Sequence, residues 1–391
     1  MASVDVAVIG AGIAGVSTAA FLAEGGLRVR LFEREAIAAG ASGRNSGVVQ
    51  HPFDPVLADL YRRTLAEYRT LGEAGVGSFR LADEPAGLLY VGRDPDAAER
   101  AARAWADAWP ASVPEVVSGV ALTRLEPALA PDLVACRLAI GYPVAPAAAT
   151  EAFAELARRR GVEIVVGGGA ARPAVTGGRI AGVEVGGRVV AAGAVVVAAG
   201  PWTPEVIDPV GTWRPIRRTW GVVASIIVPD APRHGLETID IDDDIEPTAT
   251  PSDLPAPGSA RVAAPRDEDV SFSLATAAGS SALGSTFLLD EPDADAWLPV
   301  LRRVGSRYVP AVARASLLGM RRCARPVSVD GRPLLGAAPW ADGLWLVSGH
   351  GPWGISTGPG SARLVADAIL GRSDAGSSIP DALLASRFGT P

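Results

Sequence analysis

Six residues near the amino terminus, Gly10-Ala11-Gly12-Ile13-Ala14-Gly15, have the spacing of a turn that binds phosphate groups. Gly10 permits a tight turn, Gly12 lets the backbone approach a pyrophosphate, and Gly15 lets the following helix pack on the preceding strand. Glu33 stands 18 residues after Gly15, where a carboxylate accepts hydrogen bonds from ribose hydroxyls and repels a 2′-phosphate. The pattern therefore predicts a dinucleotide ligand, FAD or NAD, and disfavours NADP.

The elements needed to position this turn are present in the expected order. The apolar run 4–9 predicts a buried strand, the Ala-rich segment up to Glu24 predicts a helix, and residues 28–32 predict a second strand. A strand, a glycine-rich turn, a helix and a second strand form the context that dinucleotide binding requires. A turn with only a packing role is the alternative, and the completeness of the motif disfavours it.

A second glycine-rich segment, Gly349-His350-Gly351-Pro352-Trp353-Gly354-Ile355, follows a predicted strand at 344–347 and precedes a predicted helix at 360–370. Backbone N–H groups at a helix start bind anions or carbonyl oxygens. The N1–C2=O edge of a flavin gains negative charge on reduction, and such a site would stabilise it. The segment favours FAD over NAD; a helix start with packing duties alone is the alternative.

Composition excludes several classes of function. All 36 basic residues are arginine, so a Schiff-base lysine, pyridoxal phosphate chemistry and a P-loop are excluded. The net charge of −7 argues against nucleic-acid partners. Two cysteines and three histidines are too few for a disulfide framework or a metal cluster. Without a secretory signal or an apolar stretch long enough to span a bilayer, the sequence predicts a cytoplasmic protein.

Periodicity predicts further elements between these segments. Helices are expected at 55–71, 97–105, 147–160 and near 298–304, and strands at 87–91, 162–166, 179–185, 188–191, 195–199, 222–228, 270–274 and 285–288. Residues 247–265 predict a long surface loop, and Asp240 with 242–244 predicts a solvated acidic turn, because the spacing fits no calcium loop.

Four blocks of the chain together resemble one family of flavoenzymes. They are residues 8–15 with Glu33, the small-residue loop 40–47 (GASGRNSG), residues 195–202 (VVVAAGPW), and residues 323–336 (CARPVSVDGRPLLG) with 349–359. These blocks resemble the D-amino acid oxidase, glycine oxidase and sarcosine oxidase family of FAD enzymes.

The resemblance implies an α/β (α+β) fold of two domains. A Rossmann-like FAD-binding domain, expected at 1–75, 142–212 and 322–391, is interrupted by a substrate domain with a mostly antiparallel sheet, expected at 76–141 and 213–321.

The residues expected to contact FAD come from these blocks. They are Gly10, Gly12, Ile13, Ala14, Gly15, Glu33, Arg34, Ser42, Gly43, Arg44, Asn45, Ser46, Gly47, Val165, Ala199, Gly200, Trp202, Cys323, Gly349, Gly351, Pro352, Trp353, Gly354 and Ile355. His350 is expected to serve the flavin through its position and backbone. Cys323 also has the spacing at which sarcosine oxidases attach the flavin covalently; a small core residue is the favoured alternative.

Arg325, before Pro326, matches the arginine that binds the substrate carboxylate in glycine oxidase and D-amino acid oxidase. A guanidinium binds a carboxylate through two hydrogen bonds, whereas a surface ion pair is the alternative role. Gln50 and His51 stand where the sarcosine oxidases carry an arginine, and they complete the catalytic candidates. For His51, a structural hydrogen bond is the alternative to assisting substrate deprotonation.

The sequence also departs from the family. It lacks the lysine over the flavin that is important in the sarcosine oxidases for reaction with oxygen, and Pro352-Trp353 stands where glycine oxidase has a second arginine. Carboxylate binding therefore depends on Arg325, with Arg321 or Arg322 as candidate helpers.

The implied reaction oxidises the C–N bond of a small amine or amino or imino acid to an imine by hydride transfer to flavin N5. Oxygen or another electron acceptor would complete the cycle. Two alternatives stay open: flavin-dependent oxidation of a hydroxy acid or of a biosynthetic intermediate, and a non-catalytic nucleotide-binding module.

Overall fold

The computed structural model of the protein describes residues 3–239, 264–372 and 378–391. The predicted acidic turn at Asp240 and 242–244 lies outside the described residues, as does most of the predicted loop at 247–265.

Strands alternate with α-helices from β1 to β6, and later parts of the chain contain runs of consecutive strands. The strands are β1 (Val4–Ile9), β2 (Val29–Glu33), β3 (Val48–Val49), β4 (Leu88–Gly92), β5 (Glu115–Ser118), β6 (Val134–Leu138), β7 (Tyr142–Pro143), β8 (Glu163–Val166), β9 (Ala171–Thr176), β10 (Arg179–Val185), β11 (Arg188–Val197), β12 (Ile216–Ile227), β13 (Gly235–Thr238), β14 (Val270–Ala277), β15 (Ser280–Thr286), β16 (Ser316–Ser328), β17 (Leu334–Ala337) and β18 (Leu344–Ser348). The α-helices are α1 (Ile13–Glu24), α2 (Ala41–Arg44), α3 (Pro55–Glu73), α4 (Pro95–Ala108), α5 (Gly119–Leu125), α6 (Ala148–Arg159), α7 (Thr203–Ile207), α8 (Leu298–Tyr308) and α9 (Gly354–Ile369).

The first large sheet has the order β17-β18-β11-β1-β2-β8. Strands β18, β11, β1, β2 and β8 are parallel to their neighbours in this order, and β17 pairs antiparallel with β18 at one edge. Strand β10 pairs antiparallel with the first half of β11, and β9 pairs antiparallel with β10. Strand β1 lies between β2, which follows it in the chain, and the much later β11. The direction in which strands are added to the sheet therefore reverses at β1. Open α/β sheets bind ligands at the carboxyl ends of the strands at such a reversal.

Both faces of β1 are covered from Val6 to Ile9, which explains the apolar run there, whereas Asp5 at the start of the strand pairs with Arg28. Val6 and Val8 face the helices α1, α6 and α9, whereas Ala7 and Ile9 face a second core that includes residues of β10. Alternate residues of a strand point to opposite faces, so a strand between two layers needs apolar side chains at every position.

The second large sheet has the order β16-β12-β15-β14-β13-β4-β6-β5 and is antiparallel except for the pair β13–β4. One of its faces packs against α8, with Val222 and Ala224 of β12 among the buried residues. The intervening residue Val223 points to the opposite face, which covers the carboxyl ends of the first sheet. The predicted fold class, a Rossmann-like unit combined with a mostly antiparallel sheet, is confirmed.

Helix α9 begins at Gly354, six residues before the predicted start, and contains Pro359. A proline within a helix leaves the carbonyl four residues earlier without its N–H donor. The hydroxyl of Tyr68 donates to that carbonyl, Ile355 O, at 2.6 Å, and Gly360 N–H donates to Thr64 Oγ1 at 2.9 Å. Helix α3 thus supplies partners that the local sequence of α9 does not reveal.

Three strand predictions need correction. The predicted strands 188–191 and 195–199 form one strand, β11, because β10 pairs with its first half and β1 and β18 pair with its second half. The strand predicted at 285–288 ends at Thr286. Strand β16 was not predicted, and it runs through the domain boundary expected between 321 and 322; the domain boundaries stay a prediction.

Two further observations concern only the part of the chain that the structure describes. No helix there combines the length and apolarity needed to cross a bilayer. No three or more His, Cys, Asp or Glu side chains there are grouped so that they could hold a metal ion.

Candidate functional site

A cavity of about 390 Å³ lies between the two large sheets, at the carboxyl ends of β1, β2 and β11. Both glycine-rich segments and the 40–47 loop reach its wall. The predicted site residues that line it are Gly10, Gly12, Ile13, Ala14, Glu33, Arg34, Ser42, Arg44, Asn45, Ser46, Gly47, Gln50, Ala199, Gly200, Trp202, Cys323, Arg325, Gly351, Pro352, Trp353, Gly354 and Ile355, together with His350. Gly15, Gly43, His51, Val165 and Gly349 do not line it.

The turn after β1 is one that only glycine can form. Gly10 has φ +106°, and a Cβ there would lie 2.5 Å from the carbonyl oxygen of Ala198. A Cβ on Gly15 would overlap the carbonyl oxygen of Gly10. Gly15 therefore lets α1 pack against the turn, which is consistent with its position behind the cavity wall.

The amino terminus of α1 points into the cavity. Ile13 N–H donates to Ser42 Oγ at 2.9 Å, so the hydroxyl of the 40–47 loop lies beside the first turn of the helix. A Cβ on Gly12 would lie 3.1 Å from the same oxygen. Helix amino termini attract anions because their N–H groups are unpaired and the helix dipole is positive there.

The carboxylate of Glu33 has a fixed orientation at the tip of β2. Its oxygens accept hydrogen bonds from Ala11 N–H and Glu35 N–H, each at 2.8 Å. Next to it, the guanidinium of Arg34 lies 5.0 Å from the ring centre of Trp202. Both side chains line the cavity, whereas Val165 on β8 lies outside its wall.

Asn45 holds the 40–47 loop in shape. Its Nδ2 donates to Ser42 O at 2.8 Å, and its Oδ1 accepts from Gly47 N–H at 2.7 Å. Gly43 packs behind the loop, where a Cβ would overlap the carbonyl oxygen of Ala38.

The carboxyl-terminal glycine-rich segment is tied to both sheets. Val327 on β16 forms an isolated bridge with His350, and Ser348 Oγ donates to Gly200 O at 3.0 Å. Gly349, with φ +81°, turns the chain without reaching the cavity. These contacts place the amino terminus of α9 beside the turn that follows β11.

His350 and Gln50 contribute buried polar atoms to the cavity wall. His350 Nε2 and Gln50 Oε1 have no hydrogen-bond partner within the described ranges. Burial lowers the pKa of His350 to about 4, so its ring is neutral near pH 7. Unpaired buried polar atoms are rare in proteins, and in a cavity wall they fit a site that binds a polar ligand such as FAD or its substrate.

His51 occupies a different environment. Its ring stacks on Trp109 with ring centres 3.9 Å apart and an angle of 7°, and its Nδ1 accepts a hydrogen bond from Phe53 N–H at 3.1 Å. Burial lowers the pKa of His51 to about 4. This placement favours the structural role that the sequence left open for His51.

We expect the titration of His51 to affect stability. An unfolded histidine titrates near 6.5, so the unfolded state binds the proton first as the pH falls. The contribution of neutral His51 is therefore complete above about pH 6.5, and up to roughly 3 kcal/mol is lost as the pH approaches 4. His51→Phe keeps a ring against Trp109, and its melting temperature should fall less than that of the wild type between these pH values. An equal fall in the melting temperatures of both proteins over this pH range would contradict the structural role of neutral His51.

Arg325 is buried in the wall formed by the second sheet. Its Nη1 donates to Thr286 O at 2.8 Å, its Nη2 donates to Ser285 Oγ at 2.5 Å, and its guanidinium lies 4.4 Å from the ring centre of Phe287. Burial lowers its pKa, yet an arginine stays protonated near pH 7. Arg325 forms no salt bridge within the part of the chain that is described, so the surface ion pair considered from the sequence is absent there.

The sequence missed the residues that hold Arg325 in place. Ser285, Thr286 and Phe287 bind its guanidinium. A Cβ on Gly221 of β12 would overlap that guanidinium, so the arginine crosses β12 at a glycine. A single glycine within a strand signals a close approach of this kind, but it does not identify the partner.

Cys323 and the candidate helper arginines have other contacts. The Cys323 thiol is buried 3.9 Å from Ala41 O, and burial raises its pKa. Arg321 donates to Ser225 Oγ and to Asn45 O, and Arg322 pairs with Glu291 at 2.6 Å. Neither arginine lines the cavity.

Comparison with known proteins identifies relatives of the chain. A D-amino acid dehydrogenase of Cereibacter sphaeroides is 30% identical over 233 residues, which are 57% of this chain and 46% of that enzyme, so the match spans about half of its length. A glycine oxidase of Pseudomonas aeruginosa is 27% identical over 94% of this chain and 95% of its own length. The crystal structure of glycine oxidase from Bacillus cereus has the same fold, with a TM-score of 0.78, 22% identity, and coverage of 95% of this chain and 96% of its own.

The family described as FAD dependent oxidoreductase (DAO) matches residues 5–368. This match includes both glycine-rich segments and Arg325, and it confirms the resemblance noted in the sequence. Because it covers most of the chain, the protein belongs to the DAO family of FAD dependent oxidoreductases.

Proposed function

We propose that the protein binds FAD in this cavity and oxidises the C–N bond of a small amine or amino or imino acid to an imine. The observation that carries the proposal is the buried guanidinium of Arg325, which lines the same cavity as both glycine-rich segments. A buried cation without an acidic partner in the described ranges favours an anionic ligand, and a substrate carboxylate meets that need.

The described residues fit FAD along the whole cavity. Glu33 would bind the ribose hydroxyls, and the amino terminus of α1 with Ser42 would bind the pyrophosphate. The amino terminus of α9, from Gly351 to Ile355, would bind the carbonyl edge of the flavin. Bound FAD supplies the two-electron acceptor that the oxidation requires.

The remaining wall would orient the substrate. Arg325 would bind the carboxylate through two hydrogen bonds, and Phe287 and Trp353 provide apolar surface. Gln50 Oε1 is available to accept an N–H from the amine. Neutral His350 does not add a positive charge that would oppose binding of a cationic amine.

The names of the relatives support this class of substrate. The glycine oxidase of Pseudomonas aeruginosa aligns over almost all of the chain, and the dehydrogenase of Cereibacter sphaeroides is named for D-amino acids. Because one is an oxidase and the other a dehydrogenase, we propose oxygen or another electron acceptor as the second substrate.

Anaerobic titration of the purified flavoprotein tests the proposal. We expect at least one compound among D- and L-amino acids, sarcosine and proline analogues to bleach the flavin absorbance, with an imine or its hydrolysis product detected by mass. Bleaching by hydroxy acids alone would favour the alternative oxidation. Purified protein without a redox-active flavin would favour the nucleotide-binding module.

We expect the flavin to be bound without a covalent link to Cys323. The thiol is buried with a raised pKa, and a thiolate is the nucleophilic form of cysteine. Acid precipitation should therefore give a colourless pellet and a yellow supernatant. A yellow pellet that becomes colourless in Cys323→Ser would establish covalent attachment instead.

A further inference from the structure

A serine side chain on the second sheet has no task in the function proposed above. Ser273 lies on β14 and lines the cavity. Its neighbours Phe272 and Leu274 are buried in the core that packs on α8, and alternate residues of a strand point to opposite faces. The side chain of Ser273 therefore points to the face above the cavity.

The hydroxyl of Ser273 is buried, and its Oγ has no hydrogen-bond partner among the described residues. A buried hydroxyl without a partner costs about 1–3 kcal/mol, and most such groups in native proteins are paired. The adjacent carboxylate, that of Glu237 on β13, is hydrogen-bonded to Tyr90, so we assign no ligand to it. A polar group of a bound ligand would supply the partner that the Ser273 hydroxyl lacks.

The strand register places this hydroxyl near the proposed carboxylate anchor. Ser273 pairs with Gly284 on β15, so their backbones are roughly 5 Å apart. The next residue, Ser285, accepts a hydrogen bond from the guanidinium of Arg325. When Arg325 binds the carboxylate of an amino acid, the side chain of that amino acid is therefore within reach of Ser273.

The surface between Ser273 and Arg325 is formed by small residues. A Cβ on Gly284 would lie 3.4 Å from Ser273 Oγ and 3.3 Å from Val223 Cγ2, so a larger residue would fill the space between these two side chains. Val223 also lines the cavity, and Gly221 on β12 lets the guanidinium of Arg325 cross that strand. Glycine at both positions leaves room for a substrate side chain beside the hydroxyl.

An uncharged polar group fits this position better than a charged or an apolar group. A serine hydroxyl both donates and accepts hydrogen bonds, so it can pair with a hydroxyl or a carboxamide. One hydroxyl does not offset the cost of taking a charge out of water. An apolar group would leave the Ser273 hydroxyl without a partner.

We propose that Ser273 binds a hydroxyl or carboxamide group of the substrate, so that the substrate is an amino acid with an uncharged polar side chain. Arg325 binds the carboxylate, and Ser273 on the second strand from it in this part of the sheet selects the side chain. This inference rests on the proposed binding of a carboxylate at Arg325 and names the class of amino acid that binds there.

Binding of acids that lack an amine to the purified holoenzyme tests the inference separately from catalysis. Two pairs of probes differ only in the polar group: 3-hydroxypropionate with butyrate, and succinamate with 4-methylvalerate. Perturbation of the flavin spectrum and thermal shift measure their affinities. In at least one pair we expect the polar acid to bind at least about tenfold more tightly than its apolar counterpart, and Ser273→Ala to reduce that ratio to about one.

Ser281→Ala on β15 is the matched control. The Ser281 hydroxyl bonds with Thr276 Oγ1 at 2.8 Å and lies outside the cavity wall, so its removal should leave the ratio unchanged. The melting temperature without added acid gives a second measure. Ser273→Ala removes an unpaired hydroxyl and should melt at or above the wild-type temperature, whereas Ser281→Ala should melt below it.

Equal affinities within both pairs for the wild type, or no detectable binding of any acid, would overturn the inference. A preference for the polar acid that survives in Ser273→Ala would do the same, as would an equal fall in the melting temperatures of both variants, which would give Ser273 a structural partner. If amino acids bleach the flavin but both ratios are one, the proposed oxidation stands without this assignment. If the ratio behaves as expected but no amino acid bleaches the flavin, the proposed oxidation is wrong and the assignment of Ser273 stands.

Discussion

Replacing Arg325 with alanine is expected to lower kcat/KM for the amino acid substrate by roughly 10²–10³-fold, because removal of one partner of a buried charge pair costs about 3–4 kcal/mol. The flavin content should stay close to that of the wild type, since the residues proposed to hold the nucleotide are unchanged. Steady-state kinetics and the visible spectrum of the same preparation measure both effects.

The loss of kcat/KM in Arg325→Ala should depend on whether the substrate carries a carboxylate. For an amine of the same shape without a carboxylate, Arg325→Ala is expected to change kcat/KM by only a few fold, because that compound never used the guanidinium. Arg325→Lys keeps the positive charge but loses the planar guanidinium and its contacts with Ser285 and Thr286, so we expect an intermediate loss of kcat/KM. Arg137→Ala removes an exposed arginine of the same sheet, paired with Glu115, and serves as the matched control.

Gly221 offers a test that keeps Arg325 in the sequence but displaces its guanidinium. A Cβ at this position would overlap the guanidinium of Arg325, so Gly221→Ala should raise KM for the amino acid in the same direction as Arg325→Ala. Gly319→Ala on β16 is the control, because a Cβ there meets no atom within 4 Å. Unchanged kinetics in both Arg325→Ala and Gly221→Ala would exclude Arg325 as the carboxylate anchor.

Local sequence was sufficient to predict the nucleotide end of the site. The positive φ of Gly10 and the contact between Gly15 and the Gly10 carbonyl oxygen are local to the turn, although a Cβ on Gly10 would also meet the distant Ala198. The apolar run of β1 follows from its burial on both faces. The same reasoning placed the second glycine-rich segment next to a helix start. The structure brings the two segments to one cavity, as the sequence interpretation required.

The substrate end depends on contacts between distant parts of the chain. Arg325 on β16 binds Ser285 and Thr286 across the intervening strand β12, so this contact depends on how β16, β12 and β15 pair. Register in an antiparallel sheet is set by the whole pattern of pairing, which single segments do not reveal. The sequence also could not show that His51 stacks on Trp109, because this contact joins the segment after β3 to the end of α4.

Substitution of Gly15 by alanine is expected to produce protein without flavin. The added methyl group would overlap the carbonyl oxygen of Gly10, so the turn and the first turn of α1 must separate. The backbone N–H groups proposed to bind the pyrophosphate would then lose their arrangement. We expect affinity for FAD to fall by at least roughly 10²-fold, which removes about 2 kcal/mol of ligand-linked stability where the cofactor had been present at a hundred times its Kd.

Absorbance of the purified protein and titration with added FAD measure this loss, and far-ultraviolet circular dichroism shows whether the fold is retained. Gly168→Ala is the matched control, because its Cβ would lie 3.5 Å from Val165 Cγ1, an ordinary contact. Gly12→Ala is a milder variant, since its Cβ would lie 3.1 Å from Ser42 Oγ, and it should weaken FAD binding without unfolding the protein. If Gly15→Ala and Gly12→Ala both retained a full complement of flavin, the turn after β1 would not be the pyrophosphate site, because Gly12→Ala places a methyl group where the backbone must approach the phosphates and Gly15→Ala separates the turn from α1.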